Sequence, residues 1–385
     1  MIRVVTKQDV DAASKEIESA PRVAIDTEFH AERRYYPKLY LVQVHVPDGT
    51  TWLFDPLVPG LLEHAAPALR AVPWLVHGSA YDLPLLHGAL GGLTGSLFDT
   101  QLAAGLVEAA WPSRLGVLCE RWIDTRIPKA ATLTDWSRRP LHDAQIRYAA
   151  DDVLVLPALA DALTRALNER GRGALSDAAH AEALAHGAAQ PPVDRAWTEI
   201  PGAANLTPAG AAVLQELAEW RERVARDADQ PATALISNGI LLDLARNTPT
   251  TANDLRANRR FPKKLIDSWG PDLLECIHAA RRRPEWGHPR FPFTHSAAGR
   301  RLAFVECAAA AAGTAGQFGW KLAAPPHVRE ALALLEAPTR ADVTAACATP
   351  PCATGWRDDL IGDELAAALT GARHLTLVDG EVRLT

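Results

Sequence analysis

Long apolar runs are missing from this 385-residue sequence, and cysteines are too few for a disulfide framework. No uninterrupted apolar segment approaches the roughly 18 residues of a transmembrane helix, and the first residues become charged too early for a signal-peptide core. The five cysteines are scattered, odd in number and form no CxxC pair, which disfavours disulfides and zinc and suits a reducing compartment. We therefore expect a cytoplasmic protein with no membrane partner.

Charge is also modest, because 40 Lys and Arg against 46 Asp and Glu leave a formal net charge of -6. Charged residues make up 22% and hydrophobic residues 48% of the chain, which is enough apolar material for packed cores. At about 150 residues per domain, the length predicts two or three domains. The mild acidity does not exclude a nucleic-acid partner, because phosphate binding needs only a local basic surface.

The first part of the chain alternates short strand-like runs with helical stretches, which indicates an α/β layer. Its runs rich in β-branched and aromatic residues, bounded by Pro, Gly and Asp, predict strands over 23–26, 39–46, 51–54 and 74–77. Its apolar residues at helical spacing predict helices over 9–20, 61–71, 100–110 and 143–170.

The composition changes after this part. Residues 186–205 carry paired prolines, glycines and small residues typical of a linker, and from Thr207, a good N-cap, the pattern is helical. A stretch rich in Pro and aromatics forms a second linker, and the chain ends in a hairpin pattern with an Asp379-Gly380 turn. We expect three domains, at 1–190, 205–285 and 295–385.

Acidic residues carry the sharpest chemical signal. Asp26 and Glu28 close the first buried strand, and residues at i and i+2 of a strand face the same side. Asp82 follows the strand at 74–77 at the start of a helix, and Tyr148 and Asp152, at i and i+4, share a helix face. Taken singly, such acids are more often a solvated strand end or a helix N-cap.

Four acids gathered in one place repel one another unless cations compensate them. Magnesium and manganese prefer such hard oxygen ligands, and two ions roughly 3.5–4 Å apart activate water and stabilise the leaving oxygen in phosphodiester cleavage. The sequence therefore predicts a site with two Mg²⁺ or Mn²⁺ ions. Its catalytic residues are the metal ligands Asp26, Glu28, Asp82 and Asp152, with Tyr148 hydrogen-bonding the attacking water.

Several motifs follow one another over roughly the first 170 residues: DTEF, YYPKLYLVQ, HGSAYDLPLL, FDTQLAA, TDWSRRPL and YAADDV. Jointly, and in this order, they resemble the motifs of the ribonuclease D family of DEDD 3′–5′ exonucleases, in the subgroup with a catalytic tyrosine. The resemblance implies an α/β ribonuclease H-like domain and gives the same roles to the four acids and Tyr148. It also implies that Glu28 contacts the terminal 3′-hydroxyl. Asp151 stands where the family more often has a small residue, but it points about 100° away from Asp152, which the four-residue step from Tyr148 favours.

Two further substrate contacts follow from the resemblance. Phe29 is a candidate wedge against the terminal base, although an aromatic after a strand is more often part of a core. Lys129 is a candidate contact of the scissile phosphate, and its alternative is a surface lysine in a loop.

The helical segment that begins at Thr207 resembles an HRDC domain, on ILLDLAR, TPTTANDLRA and a long first helix. A basic cluster in this segment is its candidate nucleic-acid face, because clustered Arg and Lys attract phosphates. The alternative is a solvated charged surface. The face includes Arg259, Arg260, Lys263 and Lys264. The remaining segment reads as a smaller, mostly helical C-terminal domain, interpreted as a degenerate HRDC-like unit.

These features predict a metal-dependent 3′–5′ exoribonuclease that releases nucleoside 5′-monophosphates from RNA with a single-stranded 3′ end, such as tRNA precursors. RNA as the substrate rests on the resemblance. One alternative is a DNA 3′–5′ exonuclease of repair, because the same site can cleave DNA. Another is a nucleic-acid-binding scaffold with an inactive nuclease domain, which the intact acids disfavour.

Overall fold

A computed structural model describes residues 1–30, 34–128, 135–187, 196–197, 200–203, 206–257, 261–282, 297–348 and 355–385. The chain divides into two compact units. The first comprises Met1–His30, Leu39–Gln190 and Arg301–Thr385, and the second comprises Ala31–Lys38 and Pro191–Arg300. In the described parts, no helix has the length and apolar character to cross a membrane.

A mixed sheet forms the centre of the first unit. Its strands are β1 (Ile2–Val4), β2 (Val23–His30), β3 (Lys38–His45), β4 (Thr51–Phe54), β5 (Trp74–Val76) and β6 (Leu97–Asp99). Within the described residues they follow the order β1-β4-β3-β2-β5-β6. Strand β3 is antiparallel to β4, whereas β1 is parallel to β4, and β2 and β6 are parallel to β5.

Helices cover the sheet. They are α1 (Val10–Glu18), α2 (Leu61–Ala71), α3 (Asp82–Leu90), α4 (Thr100–Gly105), α5 (Leu115–Ile123), α6 (Asp143–Leu154), α7 (Leu156–Glu169) and α8 (Gly173–Gly187). Apolar residues of α1, α2 and α3 share one core with alternate residues of β2, including Val23 and Ile25. Ala24, between them, packs instead with residues of α6 and α7.

This alternation decides where the acids of β2 lie. Successive side chains of a strand point to opposite faces, so Asp26 and Glu28 follow Ala24 rather than Ile25. Ala24 packs with Val153 of α6, the residue after Asp152. The two acids of β2 therefore lie on the side of the sheet that α6 covers.

The structure differs from the sequence prediction at two helices. The predicted helix over 143–170 is interrupted at Val155 between α6 and α7, because Pro157 has no N–H and its ring clashes with the carbonyl four residues earlier. The predicted helix over 100–110 ends at Gly105, whose carbonyl accepts a hydrogen bond from Gly319 N at 2.7 Å. That contact is tertiary and has no local sequence signal.

The second unit is mainly helical over its described residues from 206 to 282. Its helices are α9 (Pro208–Asp227), α10 (Ala232–Leu235), α11 (Asn238–Asn247), α12 (Ala252–Ala257) and α13 (Lys263–Arg282). Thr207 caps α9 as predicted, since its side chain accepts a hydrogen bond from Gly210 N. The apolar faces of α9, α11 and α13 form a separate core, which includes Leu214, Leu241 and Leu273.

The C-terminal elements return to the first unit. They are α14 (Ala297–Gly316), α15 (Trp320–Ala323), α16 (Pro326–Leu334), α17 (Arg340–Cys347), a π-helical turn (Asp358–Gly362), α18 (Asp363–Leu369), β7 (Leu375–Val378) and β8 (Glu381–Leu384). The predicted hairpin is confirmed, with φ of 54° at Asp379 and 82° at Gly380, the left-handed pair that a tight turn requires. Trp356, 2% exposed, packs in a cluster with Leu159 and Leu163 of α7.

Candidate active site

Three of the predicted acids lie together. One carboxylate oxygen each from Asp26, Glu28 and Asp152 lies within 4.8 Å of the others, and all three side chains are half-buried. Strand β2 supplies the first two through its two-residue period, and α6, packed over the same face, supplies the third. We call these three residues the acidic group.

Asp82 adjoins the acidic group without belonging to that tight cluster of three. It is the first residue of α3, and its carboxylate accepts a short hydrogen bond from the hydroxyl of Thr27, between Asp26 and Glu28. Its charge raises the pKa of both neighbours of Thr27. The four predicted metal ligands therefore converge, three closely and the fourth through Thr27.

Burial and crowding shift the pKa values of these acids upward. Burial, reinforced by the charges of the other acids, raises the pKa of Asp26 well above its ordinary value and that of Glu28 to about 8. Burial also raises the pKa of Asp82 and of Asp152 to about 6. Carboxylates held together against this repulsion, with only oxygen donors, are a donor set that fits hard divalent cations.

Tyr148 lies one helical turn before Asp152 on α6 and donates a hydrogen bond to its carboxylate. Its ring packs against Trp136, with 6.1 Å between the ring centroids. Burial and the nearby acids raise the pKa of Tyr148 above its ordinary value, so its hydroxyl stays a hydrogen-bond donor at neutral pH. Asp151 is outside the acidic group; burial raises its pKa and Arg147 lowers it.

Gln43 is a residue of this site that the sequence prediction missed. It is fully buried on β3, and its Nε2 lies 3.4 Å from Glu28 Oε1, to which it donates a hydrogen bond. Its Oε1 has no hydrogen-bond partner among the described residues. An amide inside the otherwise apolar run LYLVQV is the signal that could have identified it.

The structure describes only some of the other predicted substrate contacts. Phe29 is half-buried on β2, beside the acids. Lys263 and Lys264 are exposed at the start of α13. Lys129, Arg259 and Arg260 lie outside the described residues.

The comparisons with known proteins first define a class. Residues 1–168 match the family model of 3′–5′ exonucleases, and residues 210–277 match that of the HRDC domain. The acids and Tyr148 all fall within the first of these matches. The chain is therefore a 3′–5′ exonuclease followed by an HRDC domain.

Curated relatives then define the family. Ribonuclease D of Pseudomonas paraeruginosa is 35% identical over 71% of this chain and 73% of its own length. Ribonuclease D of Gluconacetobacter diazotrophicus is 31% identical over 98% of this chain and 95% of its own length. This chain belongs to the ribonuclease D family, which confirms the prediction of a 3′–5′ exoribonuclease.

The crystal structure of Escherichia coli RNase D shares the fold. It superposes with a TM-score of 0.75 over 95% of this chain and 97% of that one, at 23% sequence identity. The predicted fold class, a ribonuclease H-like α/β exonuclease domain, then an HRDC domain and a mostly helical C-terminal region, is thereby confirmed. The exact domain boundaries stay a prediction.

Proposed function

We propose that this chain is a two-metal exoribonuclease of the tyrosine subgroup, which removes nucleotides one at a time from single-stranded 3′ ends of structured RNA, tRNA precursors among them. The observation that carries the proposal is the acidic group, whose carboxylate oxygens lie within 4.8 Å of one another. The E. coli relative is described as an exoribonuclease involved in structured RNA processing, which supports the substrate class.

Asp26, Glu28, Asp82 and Asp152 would hold the two cations, Mg²⁺ or Mn²⁺. When bound, such a pair activates the attacking water and stabilises the leaving oxygen. The raised pKa values of Asp26 and Glu28 support this assignment, because the charges of the neighbouring acids contribute to them and a divalent cation relieves that repulsion.

The chain's own residues then orient the reactants. The protonated Tyr148 hydroxyl, held beside Asp152, positions the attacking water, and Trp136 fixes the tyrosine ring. Glu28, held by Gln43, also contacts the terminal 3′-hydroxyl. The water oxygen bonds to phosphorus as the bond to the 3′-oxygen of the preceding nucleotide breaks. The 3′-oxygen takes up a proton, which balances the one that the attacking water gives up, and a nucleoside 5′-monophosphate leaves.

Three further assignments complete the proposal. Phe29 stacks on the terminal base, and Lys129 contacts the scissile phosphate. Arg259, Arg260, Lys263 and Lys264 bind the RNA backbone through their charge. The cytoplasmic location expected from the sequence stays a prediction.

The test is cleavage of a 3′-tailed RNA and of its all-DNA counterpart, each with Mg²⁺ or Mn²⁺ and with EDTA. We expect stepwise 3′ shortening of the RNA that EDTA and Asp26→Asn abolish. Tyr148→Phe should slow hydrolysis about 100-fold, because a misplaced reactant typically costs a factor of that size. It should lower the melting temperature only slightly, because the hydrogen bond to Asp152 is lost but the ring still packs on Trp136.

Tyr35→Phe is the matched control, because it removes a phenolic hydroxyl that accepts a hydrogen bond from Arg226 in the second unit. It should retain wild-type hydrolysis. Shortening of DNA as fast as RNA would favour the repair exonuclease. Binding of both substrates without metal-dependent shortening would favour the inactive scaffold.

A further inference from the structure

Asp99 is a buried acid for which the proposed mechanism has no role, although it belongs to the FDTQLAA motif. It ends β6 and is 2% exposed. An acid this deeply buried needs hydrogen-bond donors in compensation. What those donors are attached to therefore indicates what the acid does.

Four hydrogen bonds converge on the Asp99 carboxylate. Oδ1 accepts from Gly78 N at 2.9 Å and from Gln101 N at 2.8 Å. Oδ2 accepts from Ser79 N at 2.8 Å and from Ser79 Oγ at 2.7 Å. Because a carboxylate offers about four acceptor positions, its capacity is used in full.

Three of these bonds go to Gly78 and Ser79, the loop that leads directly to Asp82. The Ser79 carbonyl in turn accepts a hydrogen bond from Leu83 N at 2.9 Å, in the first turn of α3. Gly78 has φ of +71°, a conformation that a residue with a Cβ rarely adopts. The positive φ of Gly78 therefore sets the shape of this loop, and hydrogen bonds to the Asp99 carboxylate hold it in place. Asp82 begins α3 directly after the loop.

A helix cap alone does not account for this arrangement. Asp99 is the N-cap of α4, but that function uses only the bond from Gln101 N. Asn caps helices about as well as Asp. The bonds to Gly78 and Ser79 are additional, and they act on α3 rather than on α4.

We propose that Asp99 is a positioning residue, which sets divalent-cation affinity by fixing the loop that presents Asp82 beside the Thr27 hydroxyl. The inference rests on the proposed function in taking Asp82 as a metal ligand. Asp99 itself touches neither cation nor substrate. It acts through Ser79 and the first turn of α3.

Asp99→Asn separates the two roles of this side chain. Its carbonyl oxygen can still accept from Gly78 N and Gln101 N, so the cap survives. Its NH₂ group then faces the Ser79 N–H, which loses its acceptor, and the loop must shift. Ser79→Ala is a milder change, because it removes only the bond from Ser79 Oγ and keeps the three from the backbone N–H groups of Gly78, Ser79 and Gln101.

The measurement is Mn²⁺ binding to the full chain by calorimetry without RNA, together with the half-saturating Mn²⁺ concentration for RNA hydrolysis. For Asp99→Asn we expect both the dissociation constant and the half-saturating concentration to rise about 10-fold, with RNA affinity in EDTA unchanged. For Ser79→Ala we expect a rise of about threefold. These factors correspond to the partial loss of a ligand's positioning.

Glu16→Gln is the matched control, because Glu16 fastens a different loop of the same domain, accepting from Thr50 N at 2.8 Å and Trp52 Nε1 at 3.0 Å. It should lower the melting temperature without changing Mn²⁺ affinity. A folded Asp99→Asn with wild-type Mn²⁺ affinity would overturn the proposal. If that variant does not fold, wild-type affinity in folded Ser79→Ala would overturn it instead.

The same experiment separates this inference from the proposed function. If the wild-type chain binds Mn²⁺ and Asp99→Asn weakens that binding, Asp99 positions a metal ligand even where no RNA is shortened. If the wild-type chain shortens RNA and both variants keep its metal dependence, the function stands and the role of Asp99 does not.

Discussion

Among single residues, Glu28 shows most clearly how gathering the acids affects the stability of the folded chain. It shares a strand face with Asp26, faces Asp152 across the site and receives a hydrogen bond from Gln43. Burial and the charges of Asp152 and Asp82 raise its pKa from 4.5 to about 8. The folded chain therefore binds a proton there that the unfolded chain releases at much lower pH.

This difference predicts how the metal-free protein responds to pH. A group whose folded pKa is raised stabilises the fold below its unfolded pKa, and that stabilisation is lost as the pH rises through the folded value. In EDTA, we expect the melting temperature to fall between about pH 5 and pH 8. Mn²⁺ should restore it, most strongly at pH 8, where binding displaces the fewest protons.

Glu28→Gln tests whether Glu28 causes this fall in melting temperature with pH, because glutamine is neutral at every pH and has nearly the same shape as glutamate. The variant should show a shallower fall in melting temperature over the same pH range. A melting temperature of the wild-type chain that rises toward pH 8 in EDTA would contradict the assignment of the raised pKa.

Among the elements, the contact between α8 and the π-helical turn links the C-terminal segment to the nuclease domain. Arg357, directly before the turn, places Nη1 2.6 Å from Oε1 of Glu182 on α8, and both residues are buried. Trp356 beside it donates a hydrogen bond to Oε2 of the same carboxylate at 3.2 Å. Removing one partner of a buried ion pair leaves the other charge without compensation.

Arg357→Ala should therefore lower the free energy of unfolding by about 3–5 kcal/mol, measured by urea denaturation. The double variant with Glu182→Gln should recover part of this loss, because no buried charge remains. Arg373→Ala, which breaks the exposed pair with Glu364, should cost no more than about 1 kcal/mol. Equal losses of unfolding free energy in the two arginine variants would show that the buried pair stabilises the fold no more than the exposed one.

For the whole molecule, RNA binding depends on where the positive charge lies on the surface. A formal net charge of -6 opposes RNA binding on average, so a local basic surface must supply the attraction. Lys263 and Lys264, both exposed at the start of α13, are the described part of the predicted basic face.

Lys263→Ala/Lys264→Ala should weaken binding of single-stranded RNA and reduce the slope of log affinity against log salt by about 1.4, because two phosphate contacts are lost. Fluorescence anisotropy over a range of salt concentrations measures this slope. Lys7→Ala/Lys15→Ala makes the same change in net charge at exposed lysines of the first unit. An equal loss in both double variants would mean that only the average charge matters.

Local pattern was enough to predict much of the sheet. The runs at 23–26, 39–46, 51–54 and 74–77 all fall on strands, because β-branched and aromatic residues bounded by Gly, Pro and Asp have few other conformations available. The short edge strands β1 and β6 were missed, since three residues give too little periodicity to recognise. The order of the strands depends on long-range pairing and was not predicted.

The sequence by itself determined the chemical character of this protein: the family, the reaction class and the candidate acids, because motif spacing places functional groups on known positions of strands and helices. Tertiary structure decided how those groups meet. It brought Asp152 to Asp26 and Glu28, placed Asp82 against Thr27, and added Gln43 and Asp99. These contacts join residues from 15 to more than 100 positions apart, and proximity of that kind arises only when the sheet and its helices pack.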